Sequence, residues 1–162
     1  MVSIDLGLER WLFIDNTKVI PFPHADDINK VLKIINISKP DDLKVSKTMQ
    51  VILGDITSRQ VQYYINAVAY LDILDSKKEF TPYGNKVRAM NQFEQKIALC
   101  QKISSKDVFG EVYFSEKVLV IKYTREEIID VMKKYVTFQS DEIYNRRAQT
   151  VYKWVEWMNN NF

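Results

Sequence analysis

A chain of 162 residues, 46% of them hydrophobic, can form one compact domain or two small ones, and its aromatic and β-branched content excludes a disordered segment. Only four Gly and four Pro argue against a strand-rich barrel or a low-complexity linker. With 23 basic and 21 acidic residues the net charge is +2, so a polyanion would have to be recognised by local placement of charge and not by the total.

The opening "WLFIDNTKVIPF" alternates loosely around Asp15-Asn16 and predicts a short hairpin or extended arm, ended by Pro21 and Pro23. Asp26 or Asp27 is placed to cap a first helix, with Ile28, Val31, Leu32 and Ile35 at helical spacing. "SKPDD" breaks it. A short second helix follows over Val45 to Leu53, stopped by Gly54.

Thr57 or Ser58 caps a third helix, "TSRQVQYYINAVAYL". At about 100° per residue, Val61, Tyr64, Ile65, Val68 and Leu71 gather on one face. Arg59, Tyr63, Asn66 and Tyr70 gather on the other, with Gln62 at its edge and no acidic residue before Asp72. Ile73-Leu74 and Glu79-Phe80 are strand candidates around a basic turn, Ser76-Lys77-Lys78, and Thr81-Pro82 starts the next helix. Helix, helix, helix, small hairpin is the order of a winged helix-turn-helix.

Thr81 to about Ile103 reads as a helical connector broken near Gly84, interrupted after it by "SSKDVFGEVYF". Thr124 and Glu127 form a capping box for a helix ending near Tyr135. Ser140 or Asp141 caps a last long helix, Asp141 to Met158. The expected fold is mainly α (α+β): tandem winged helix-turn-helix units with a short β-hairpin wing. Residues 1–90 would hold the arm and first unit, and 91–162 the connector and second unit.

Setting Arg146 on Arg59 lays "RRAQTVYKWVEW" over "RQVQYYINAVAY". Arg146, Thr150, Lys153 and Trp157 then repeat the spacing of Arg59, Tyr63, Asn66 and Tyr70, while Ala148, Val151 and Val155 point towards a core. Such a face suits duplex DNA: phosphates attract Arg, Lys, tyrosine hydroxyls and helix N-termini, and base edges in the major groove pair with Arg, Gln and Asn. The expected DNA-binding residues are Arg59, Gln60, Gln62, Tyr63, Asn66, Tyr70, Lys77, Lys78, Arg146, Arg147, Gln149, Thr150 and Lys153. The plainer reading is that both faces are merely solvated, Trp154 and Trp157 are core, Arg147 is an ion-pair partner of Glu142 or Asp141, and Lys77-Lys78 is a solvated tip.

Catalytic and metal chemistry find little support. His24 is the only histidine and Cys100 the only cysteine, too few for a zinc site and too few for an intrachain disulfide. "PDDLK" (Pro40 to Lys44) lacks the strand that should carry paired nuclease acids, and "SEKVLVIKY" is strand-like but lacks an upstream acid. Four scattered glycines make no phosphate loop. No catalytic residue, cofactor or metal is expected. A single thiol, an N-terminus without a signal peptide and no membrane-length apolar run point to the cytoplasm and to no membrane partner.

"FPHADDINKVLKII", "RQVQYYINAVAYLDIL", "FTPYGNKV" and "NRRAQTVYKWVEWM" together resemble a winged-helix module attached to type II restriction endonucleases. The likeness spans about residues 20 to 158, carried by Arg59, Gln60, Tyr63, Tyr64, Thr81 and Gly84 and by the "Arg-Arg-Ala-x-Thr-Val-x-x-Trp" of Arg146 to Trp154. Phe80 and Asp72 depart from that pattern, where leucine and glycine are usual. The resemblance implies sequence-selective binding of double-stranded DNA, with cleavage by a nuclease domain or subunit elsewhere in the restriction system. A free-standing transcription regulator and a protein-interaction module are the alternatives.

Overall fold

The computed structural model describes residues 21–162, so the arm or hairpin expected over residues 11–20 lies outside the described residues. The chain divides into two compact units, with Ile20–Leu99 in one and Cys100–Phe162 in the other.

The first unit starts with α1 (Ile28–Ile35). Asp27 caps it by accepting from the Asn29 amide at 2.9 Å, and pairs with Lys30 at 2.8 Å. Burial raises the Asp27 pKa, but the Lys30 ammonium and the capping amides outweigh it and hold the carboxyl below its usual range. Val31, Ile34 and Ile35 are fully buried, while Leu32, expected in the core, is half-buried. "PDDLK" forms a 3₁₀ turn, Pro40–Lys44, whose Leu43 enters the core. Next come α2 (Ser46–Ile52) and Gly54 at φ 96°, a conformation that only glycine adopts without strain.

A complete capping box starts α3 (Ser58–Tyr70). The Gln60 amide donates to Thr57 Oγ1 at 3.2 Å, and the Thr57 amide donates to Gln60 Oε1 at 3.0 Å. Val61, Tyr64, Ile65 and Val68 bury their side chains, with α1 and α2 packed against the helix.

The β-hairpin wing does not form. Among the described residues there is no strand, only one antiparallel bridge between Leu74 and Phe80. The reason is local. Asp75 Oδ1 accepts from the Lys77 and Glu79 amides at 2.8 and 3.0 Å, and so satisfies donors that a ladder would otherwise use. Lys78 sits at φ 63°, and Thr81 already caps the next helix through the Gly84 amide. No length remains for paired strands, so the fold is mainly α, and the winged-helix expectation falls with the wing.

The break in the connector also moves. Gly84 lies inside α4 (Pro82–Arg88), and the interruption is Ala89–Asn91, before α5 (Gln92–Ser104). A Cβ on Gly84 would stand 2.1 Å from the Ile73 carbonyl oxygen, so glycine here is demanded by close approach of the 72–81 turn. Buried Gln95 then ties α5 to the unit, donating to Asn36 Oδ1 at 2.9 Å and the Val87 carbonyl at 3.1 Å.

The second unit packs three helices pairwise: α6 (Asp107–Leu119), α7 (Arg125–Tyr135) and α8 (Asp141–Asn161). "SSKDVFGEVYF", expected as an interruption, is mostly α6, and the strand-like "SEKVLVIKY" stays helical as far as Leu119. A short run rich in Val, Ile and Leu fits a buried helix as well as a strand, and periodicity cannot separate them. Phe109 stacks on Trp154 at 5.0 Å between centroids, with Val112, Ile128, Met132, Val151 and Met158 filling the core. The Thr124 capping box forms as expected, and Ser140 caps α8.

Candidate nucleic-acid interface

The outward side of α3 is held in order by its own side chains. Arg59 Nε donates to Tyr63 Oη at 2.6 Å, with the guanidinium 5.6 Å from the Tyr63 ring centroid. One strip over, Gln62 Nε2 donates to Asn66 Oδ1 at 2.8 Å. Both contacts join residues four apart, which a helix stacks on one side. Arg59 and Gln62 are exposed; Tyr63 and Asn66 are half-buried. No carboxylate occurs from Ile56 to Leu71, so the sequence of this helix opposes nothing to a nearby anion.

The segment before α1 borders this face. His24 lies 4.6 Å from the Tyr63 ring and Phe22 5.9 Å edge-on from Tyr70. Tyr63 and Tyr70 are therefore partly committed to packing, the alternative to groove reading that the sequence leaves open for tyrosines beside the N-terminal arm; the aromatic "FPH" just ahead of the helix cap supplies their partners. Tyr64, on the core side, donates to Asp26 and accepts from the Asp27 amide, both at 3.3 Å, and burial raises its phenol above the ordinary range.

The other expected residues divide. Gln60 is exposed, but its side chain closes the capping box. Lys77 is exposed at the tip of the 72–81 turn, with Lys78 half-buried beside it and Lys44 paired with Glu79 at 3.4 Å.

On α8 the matching set does not make an open face. Thr150, at its centre, is 0% exposed, because α8 has both α6 and α7 against it and residues 150 and 151 both turn inward. A residue enclosed in this way has no surface to offer a phosphate, so Thr150 is a core residue. Gln149 accepts from Arg125 at 2.6 Å, a partner the sequence did not single out. Arg146 faces Glu142 at 3.9 Å, Lys153 pairs with Glu156 at 3.3 Å, and Arg147 is half-buried. Cations already opposed by carboxylates on their own helix leave little net field.

Among the described residues, no group of three or more His, Cys, Asp or Glu side chains could hold a metal ion, and no helix is long and apolar enough to cross a membrane. No curated protein and no solved structure matches the chain. The family match runs from the Asp27 cap of α1 through Phe162, taking in all eight α-helices of the described residues: residues 27–162 fit the Domain of unknown function (DUF7226), and the chain belongs to that family.

Proposed function

We propose that this protein binds double-stranded DNA with sequence preference through the Arg59–Gln62–Asn66 side of α3, laid along the major groove, with Lys77 on a phosphate. One observation carries this reading: an exposed arginine and two amide side chains, ordered by contacts four residues apart, occupy a helix without a carboxylate. Arg and the amides match guanine and adenine edges, and prior ordering lowers the entropy lost on contact. The likeness of the quoted phrases to recognition modules of type II restriction endonucleases supports the same partner. It makes this chain the recognition part of a restriction system, acting in the cytoplasm beside a separate nuclease domain or subunit. α8 braces its unit and takes no base-reading role.

The test uses Arg59→Ala with Asn66→Ala on cognate and scrambled duplexes. Loss of about 1–3 kcal/mol on the cognate duplex, roughly tenfold or more, is expected, with a smaller loss on the scrambled one. Unchanged affinity for both across a salt series removes α3 as the reader. Lys77→Ala should weaken both duplexes alike and lower the salt slope by about one.

A further inference from the structure

An arginine can offer a partner two different edges. The Nε–H with one Nη makes a side edge, and the two Nη groups together make an end edge. On α3 the side edge is already taken, because Arg59 Nε donates to Tyr63 Oη at 2.6 Å. Neither Nη group has a hydrogen-bond or ion-pair partner among the described residues, and Arg59 is exposed. Tyr63 is half-buried, and the His24 ring lies 4.6 Å from its own, the two planes 45° apart. A ring with an imidazole against it keeps fewer rotamers than one standing in water, so the phenol oxygen is a fixed acceptor.

We infer that Tyr63 is a positioning residue: its hydroxyl holds the guanidinium by Nε, so that Arg59 meets DNA by its end edge and the base it meets is guanine. This rests on the reading of α3 as the DNA-binding helix, and adds to it the edge, the base and the residue that sets them. The end edge is two N–H donors side by side. In the major groove only guanine sets two acceptors side by side, O6 and N7; adenine puts an amino group beside N7, thymine a methyl beside its one acceptor, and cytosine a donor. A phosphate takes either edge of an arginine, so holding one edge forward favours the partner with a single matching pair. Tyr63 then acts through Arg59 and touches no base itself. Ordering a long side chain before contact is worth roughly two- to tenfold in affinity.

Tyr63→Phe keeps the ring that packs on His24 and removes only the acceptor. The test uses the full chain and a duplex that it selects from a random pool, with each base pair then replaced in turn. Arg59→Ala should abolish a preference for guanine at one position. Tyr63→Phe should weaken the preference at that same position roughly two- to tenfold, with the salt slope and the affinity for a scrambled duplex unchanged. In the free protein the Arg59 Nε–H should exchange slowly with solvent by nitrogen-15 NMR, and Tyr63→Phe should make it fast, a readout that needs no DNA. The inference alone is overturned if Arg59→Ala removes the guanine preference and Tyr63→Phe leaves it intact, or if the base lost with Arg59 is not guanine. It is also overturned if Tyr63→Phe weakens every duplex alike, which would make the hydroxyl a phosphate contact, or if Nε–H exchange is equally fast in both proteins. If Arg59→Ala changes the affinity for no duplex, the DNA reading of α3 fails and the inference falls with it.

Discussion

α3 and α8 carry nearly the same arrangement of residues and put it to different uses. In α3 the side opposite the core faces outwards, with Arg59 and Gln62 exposed. In α8 the equivalent side is interrupted by Thr150, enclosed between two neighbouring helices. A helix packed on one side has one wet face, and the apolar stripe says which. A helix gripped from two sides buries a wider arc, and a small residue such as threonine enters it unnoticed. Equal spacing therefore does not mean equal exposure.

Four substitutions break or sharpen that contrast. The largest effect is expected from placing one charge at the two related helices: Thr150→Arg forces a cation into the core of the second unit and should cost more than about 3 kcal/mol, while Asn66→Arg should stay within about 1 kcal/mol. Urea melts of both proteins decide it, and similar midpoints would erase the distinction between the helices.

A middling effect is expected at Gly84→Ala. The added methyl meets backbone at Ile73 and not the end of a flexible side chain, so α4 and the 72–81 turn must separate, at about 1–3 kcal/mol. Because that turn carries Lys77, duplex binding by this variant should show a lower salt slope even at temperatures where it is fully folded. An unchanged slope would place Lys77 away from any phosphate.

The smallest effect concerns how the second unit uses its carboxylates. Glu111 on α6 accepts from Lys134 and from Tyr135 Oη at 2.8 Å. Burial raises its pKa, but these two donors outweigh it and leave the carboxyl below its ordinary value of 4.5. The same contact raises the Tyr135 phenol to about 12. Since the folded value is the lower one, the stabilisation is fully present above pH 4.5 and is lost as pH falls through the folded value. Glu111→Gln should therefore lower Tm by a few degrees at neutral pH, and the gap from wild type should close in acid. A constant gap down to acid pH would mean that the contact is steric and not ionic.

The capping signals transferred well from sequence to structure. Asp27, Thr57, Thr81, Thr124 and Ser140 each begin the helix expected of them, because a cap is a contact within three residues and needs nothing from the rest of the chain. The apolar stripe of α3 was equally legible. The misses have two causes, one local and one tertiary. Whether Ile73-Leu74 and Glu79-Phe80 become a wing depends on what Asp75 bonds instead, and whether "VFGEVYF" is helix or interruption depends on the core waiting for Phe109 and Val112.

The sequence alone determined where the side-chain-capped helices α1, α3, α4, α7 and α8 start, which side of α3 is apolar, and that its other side carries arginine and amides without a carboxylate. All of these follow from interactions between residues close along the chain. Only tertiary structure decided that Thr150 lies in a core, that His24 and Phe22 lean on the tyrosines of α3, and that Val118–Ile121 stays exposed. Those outcomes depend on which surfaces meet across long separations in sequence, and burial is a property of the meeting and not of either partner.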